Sequence, residues 1–82
     1  MSFPLRIFAI DREIFVGDAK SVSLPSATGQ IQILPGHAPL ISKLAEGDVV
    51  IEPAAGGEEK LPISGGVVEV KPNETVVLVN FQ

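Results

Sequence analysis

The apolar residues of this chain recur in short runs with a period of two, and no segment holds the three-and-four spacing that lets a helix bury one side. The clearest alternation is "GQIQI", residues 29–33, where Gln30 and Gln32 point one way and Ile31 and Ile33 the other, as a half-buried strand requires. "SVSLP" (21–25) repeats the pattern and puts Val22 and Leu24 inside, Ser21 and Ser23 outside. Further strand segments are "LRIFAI" (5–10), "EIFVG" (13–17), "LISKLA" (40–45), "GDVVIEP" (47–53), "EKLPIS" (59–64), "VVEV" (67–70) and "TVVLVNF" (75–81). Nine short strands in 82 residues predict an all-β fold. The expected architecture is a small sandwich, or flattened barrel, of two packed and mostly antiparallel sheets, with residues 1–82 as one domain.

The breakers between these runs carry their own information. "PAAGGEE" reads as a hairpin loop through Gly56 and Gly57, and "KPNE" as a tighter turn at Pro72 and Asn73. Pro62 has no N–H to give a ladder, so its segment is an edge strand or begins one residue later. Ser64, Gly65 and Gly66 separate adjacent strands without a polar loop, which predicts a sharp bend where the chain changes sheets.

Composition narrows the function classes. Hydrophobic residues make up 45% of the chain, enough for a packed interior and against disorder. A chain this short buries only about 60–65% of its unfolded surface, so the core is thin. No cysteine is present, which removes disulfides, a thiolate nucleophile and thiolate-held zinc together. The opening "MSFPLRIFAIDRE" lacks the apolar segment of a secretory signal. No apolar run approaches the roughly 18 residues of a membrane-spanning helix, so membrane association is expected only indirectly, through a partner. Net charge is −4 and the six cations are scattered, where a nucleic-acid reader shows a basic stripe, so nucleic acid is not an expected partner.

The candidate chemistry centres on "ILPGHAPLIS" (33–42), which holds the only histidine, His37, between Pro35 and Pro39. One histidine without cysteine falls short of the three or four ligands of a zinc site. The nearest carboxylate pairs, Asp11 with Glu13, Glu46 with Asp48 and Glu58 with Glu59, read more simply as solvated turns or hairpin tips. Ser42 or Ser64 with His37 and an aspartate could be written as a triad, but no spacing favours it, and "SGG" lacks the flanking glycine and the helix of a nucleophile elbow. "SATGQ" lacks the lysine of a phosphate loop. The residues therefore predict no catalytic group, no bound metal, no cofactor and no small-molecule substrate. His37 reads as a polar side chain on a stiffened surface loop. Alternatively, the loop is a pre-ordered surface for a partner, which binds at lower entropic cost.

"GQIQILPGHAPLISKLAEGDVVI" followed by "ISGGVVEVKPNETVVLV" closely resembles the epsilon subunit of the bacterial rotary proton-translocating ATP synthase, the delta subunit in mitochondria. The shared positions are Gly29, Leu34 to Leu40, Leu44 with Gly47, and Gly65 to Val70, and the early "FVGDAKSVSLPSATG" belongs to the same likeness. The resemblance implies an amino-terminal β-sandwich in the central rotor stalk, docked on the gamma subunit and resting on the c-ring. It places this rotor component at the cytoplasmic face of the plasma membrane. It assigns His37, Ala38, Pro39, Leu40 and Ser42 to the gamma interface, and Ser26, Ala27, Thr28 and Gln30 to the c-ring interface. Two departures stand out. The family commonly carries an acidic residue where Gln30 stands and often a glycine at Gln32. Its members also continue into two carboxy-terminal helices that brake ATP hydrolysis, whereas this sequence ends "LVNFQ", which reads as a naturally short subunit with no helical hairpin and no brake. The rival reading is a free-standing β-sandwich binding module that shares only the loop.

Overall fold

A computed structural model describes residues 1–81; Gln82, the last residue of the "LVNFQ" ending, lies outside the described residues. Among the described residues eight strands follow one another: β1 (Phe3–Ala9), β2 (Arg12–Ser26), β3 (Gly29–Ile33), β4 (Leu40–Leu44), β5 (Gly47–Pro53), β6 (Glu59–Ile63), β7 (Gly65–Val70) and β8 (Thr75–Asn80). All pairings are antiparallel except β1 with β8, which run parallel from Leu5 opposite Thr75 to Phe8 opposite Leu78. The expected sandwich forms, and it is built around one long strand. The first half of β2 pairs with β1, which continues through β8 and β7 to β4. The second half lies between β3 and β5, and β5 carries β6 at the edge.

The nine strands expected from the alternation become eight because "EIFVG" and "SVSLP" belong to one element. The backbone does not turn at Gly17 and Asp18, which pair with Leu5 and Pro4 of β1. Ala19 still faces Phe3, and the ladder to β5 then skips Lys20, between Ala19 and Ser21. That bulge is where β2 passes from one sheet to the other, since an extra residue bends a strand and increases its twist. Ser21, expected outside, is buried, and its hydroxyl donates to Glu52 Oε1 on β5 at 2.7 Å. A buried hydroxyl needs such a partner.

The other sheet change falls where the sequence placed it. Ile63 pairs with Gly47 on β5, and two residues later Gly65 pairs with Asn80 on β8. The corner is held by the Ser64 N–H donating to the Asn80 carbonyl at 2.8 Å. Gly66 follows at φ +149°, and a Cβ there would overlap the Leu78 carbonyl oxygen and lie 3.0 Å from Val79 Cα. Only glycine lets β7 approach β8 this closely. Pro62 lies on β6, which among the described residues pairs with β5 alone, in agreement with an edge position.

Every strand contributes to a single core. Leu5, Ile7, Val22, Leu24, Val49, Val68 and Val77 are fully buried, and Ile33, Leu44, Ile51, Ile63 and Val79 are nearly so. Among the described residues no helix is long and apolar enough to cross a membrane.

Candidate interaction surfaces

The loop between β3 and β4 is shaped before any partner arrives. Leu34, Pro35, Gly36 and His37 form a β-turn in which the His37 N–H donates to the Leu34 carbonyl at 3.1 Å. Pro35 sets φ at the second position and Gly36 takes φ +81° at the third, the requirement of a type II turn. His37 is exposed, and its Nδ1–H donates to the Ala38 carbonyl at 2.7 Å. A hydrogen bond one residue along the backbone orients the ring and pairs it with no hydroxyl or carboxylate. Ala38 and Pro39 are exposed beside it. The loop lies against the β7–β8 turn and the start of β1, with Phe3, Gly36, His37, Lys71 and Glu74 lining one shallow depression.

On β4 the alternation sorts the assigned residues. Leu40 is half-buried and packs on the core, and Ser42 is half-buried on the same side of the strand, between Leu40 and buried Leu44. Ile41 and Lys43 point outward, and Ile41 is 70% exposed. Register carries the outward row across the sheet, from Ile41 to Glu69, Val76, Arg6 and Val16. A second row runs from Lys43 to Val67, Leu78 and Phe8. The outer surface of this sheet is therefore largely apolar, with Ile41, Val16 and Val67 among the large hydrophobic residues left exposed. The corresponding row of the other sheet reads Gln32, Ser23, Val50, Lys60 and is mostly polar. Ile41 and Val67 are absent from the residues that the family likeness assigned. The signal for Ile41 was the alternation of "LISKL" itself, which puts it opposite Leu40 and Leu44.

The β2–β3 turn lies at the far end of β3. Ser26 is buried, its hydroxyl donating to the Gly29 carbonyl and accepting from the Thr28 N–H at 3.3 Å. It braces the turn and presents no free group. Ala27, Thr28 and Gln30 are exposed around it. The Ala45 N–H donates to the Pro25 carbonyl at 2.8 Å and fixes this turn against the β4–β5 turn, so Gln30 shares an open groove with Glu46, Asp48 and Lys60. The five residues of β3 separate this end from the His37 loop by about 13 Å of extended chain. Among the described residues no three His, Asp or Glu side chains converge as metal ligands.

A two-sheet β-sandwich with a shaped loop at one end, a braced turn at the other and an apolar outer sheet face is a protein that presents surfaces. The ATP synthase delta/epsilon chain β-sandwich domain family matches residues 2–81, and the chain belongs to that family. The ATP synthase epsilon chain of Bordetella petrii is 45% identical over 74 residues, 90% of this chain and 52% of that protein. The epsilon chain of Bordetella parapertussis is 43% identical over the same length. The chain thus spans about half the length of the curated relatives it matches. Among solved structures, a chain of the Euglena gracilis mitochondrial ATP synthase OSCP/F1/c-ring assembly superposes with a TM-score of 0.88 at 21% identity, covering 95% of this chain and 50% of that one. A chain of the Tetrahymena thermophila mitochondrial ATP synthase central stalk/c-ring superposes at 0.83 and 13% identity, covering 98% and 64%. At those identities the likeness is one of fold.

Proposed function

We propose that this domain is a non-catalytic component of the central stalk of an ATP synthase, holding the gamma subunit and the c-ring in register while the rotor turns. The observation that carries the reading is the separation of its surfaces. The His37 loop and the β2–β3 turn sit at opposite ends of β3, on a body whose strands all feed one core. A component that transmits torque must resist shear, and an interior packed at crystal-like density strains little under load.

In this reading gamma takes the end that carries His37, Ala38 and Pro39 and extends over the apolar outer sheet face through Ile41 and Val67. Leu40 and Ser42 contribute from beneath by fixing β4. Ala27, Thr28 and Gln30 meet the c-ring, with Ser26 holding their turn. Gln30 brings hydrogen-bonding capacity without charge to that contact. The domain then sits at the cytoplasmic face of the membrane by way of the complex.

The test is reconstitution. A complex assembled with this chain is expected to retain it with gamma on purification and to couple ATP hydrolysis to proton pumping in vesicles. Pumping should fall when the chain is omitted. A chain that fails to copurify with gamma, or whose omission leaves coupling intact, would overturn the reading.

A further inference from the structure

We propose that β3 is a self-pairing edge, through which two copies of this chain associate about a two-fold axis passing at Ile31. Among the described residues β3 pairs with β2 alone, so its opposite side is an open edge. The backbone groups on that side can be identified. Pro25, opposite Gln30, has no N–H, and its carbonyl is taken by the Ala45 N–H on the far side of β2. Opposite residues in an antiparallel ladder alternate between exchanging hydrogen bonds and not exchanging them. Gln30 with Pro25 and Gln32 with Ser23 are therefore the pairs that exchange none, and Ser23 faces Val50 of β5 on its other side. The N–H and C=O groups of Gln30 and Gln32 point into the open edge.

The segment Gln30–Ile31–Gln32 reads the same in both directions. Two antiparallel copies centred on Ile31 put Gln30 of one opposite Gln32 of the other, twice. Each such pair exchanges two backbone hydrogen bonds, with Ile31 facing its own copy between them. This is the self-complementary geometry that a two-fold interface demands. No charge opposes the pairing, since Gly29 to Ile33 contain none, and the exposed glutamine amides can bond across the junction. The edge at β6 is different. It carries Glu59, Lys60 and Pro62, the charges and proline that discourage a second strand. The contact is small. One five-residue strand buries on the order of a few hundred Å², below the roughly 1,000 Å² of a stable interface, so association is weak and appears only at high concentration.

Sedimentation equilibrium of the intact chain from about 10 μM to about 1 mM, the range in which a weak interface becomes populated, tests this. The apparent mass is expected to climb towards that of a dimer. Gln32→Pro removes an N–H that points away from β2, so it should leave the melting temperature nearly unchanged and hold the protein monomeric. Should that variant unfold, the double substitution Gln30→Asp and Gln32→Asp places like charges opposite one another at exposed positions and should abolish association with the fold intact. A chain that stays monomeric to the top of the range, a higher oligomer, or folded variants that associate as the parent does would each overturn the proposal.

Discussion

Ile41→Asp separates the outward-facing side of β4 from its core-facing side when compared with Leu40→Asp. Ile41 is 70% exposed, so an aspartate there is solvated in the free domain, although it stands opposite Glu69 across the ladder. The free domain should lose no more than about 1 kcal/mol, the cost of like charges directly opposite one another at an exposed pair. Full burial of an isoleucine side chain gives about 1.5–3 kcal/mol. If gamma covers the exposed seven-tenths, about 1–2 kcal/mol of binding is lost, roughly 5- to 30-fold in affinity. Desolvating the new carboxylate adds to that loss. Leu40 behaves in the opposite way. It packs on the core beside Val70, and an aspartate placed there lacks a partner for its charge, so the domain itself should lose several kcal/mol. Urea unfolding of each variant gives the stability, and calorimetric titration against gamma gives the affinity. Binding of Ile41→Asp to gamma within about twofold of the parent, less than the smallest expected loss, would refute this reasoning. So would a Leu40→Asp domain as stable as the parent.

Gly66→Ala should cost about 3 kcal/mol or more, because the new Cβ meets the Leu78 carbonyl at a left-handed φ; a fall of well over 10 °C in melting temperature is expected, and a fall under about 4 °C contradicts the close approach. Ser21→Ala removes the donor to Glu52 and should lower stability by about 1 kcal/mol in denaturant unfolding, whereas an unchanged midpoint would show that the bond adds nothing. The ion pairs Arg6–Glu74 and Arg12–Asp11 lie at the surface, so about 1 M salt should leave thermal stability within a few degrees; a large drop would expose an electrostatic contribution that these pairs do not contain.

The sequence carried most of the strand map because one face of each strand is buried and the pattern of two is then enforced. "GQIQI" and "GDVVIEP" coincide with β3 and β5 residue for residue. Pro62 at an edge and the corner at Ser64 were legible from single residues, since a missing N–H and a paired glycine have few structural solutions. The unity of β2 was not legible. Gly17 and Asp18 carry the chemistry of a turn, and only the partners Leu5 and Pro4, many residues away, keep them extended. Burial of Ser21 likewise depends on Glu52 across the ladder. At the candidate surfaces, family likeness returned a contiguous run that included Leu40, while strand alternation pointed to Ile41. Those two residues differ by half a period, and the period decides which of them reaches the surface.

The continuity of β2 also supplies the stiffness that a bridging role requires. Two sheets joined only by a hydrophobic core can slide, because burial is non-directional and a shifted pair of faces still excludes water. Here one backbone belongs to both sheets, paired with β1 as far as Phe3–Ala19 and with β5 from Pro53 to Val50. Sliding one sheet past the other would have to break the ladders on either side of the Lys20 bulge or stretch a covalent chain. The Ser26–Leu44 pairing closes the path again at the other end of β2, beside the β2–β3 turn. Force applied at Ala27 and Thr28 is thus passed through β4 to the His37 loop along directional bonds. Weakening that closure, with the core untouched, is expected to soften the domain between its ends more than it lowers its melting temperature.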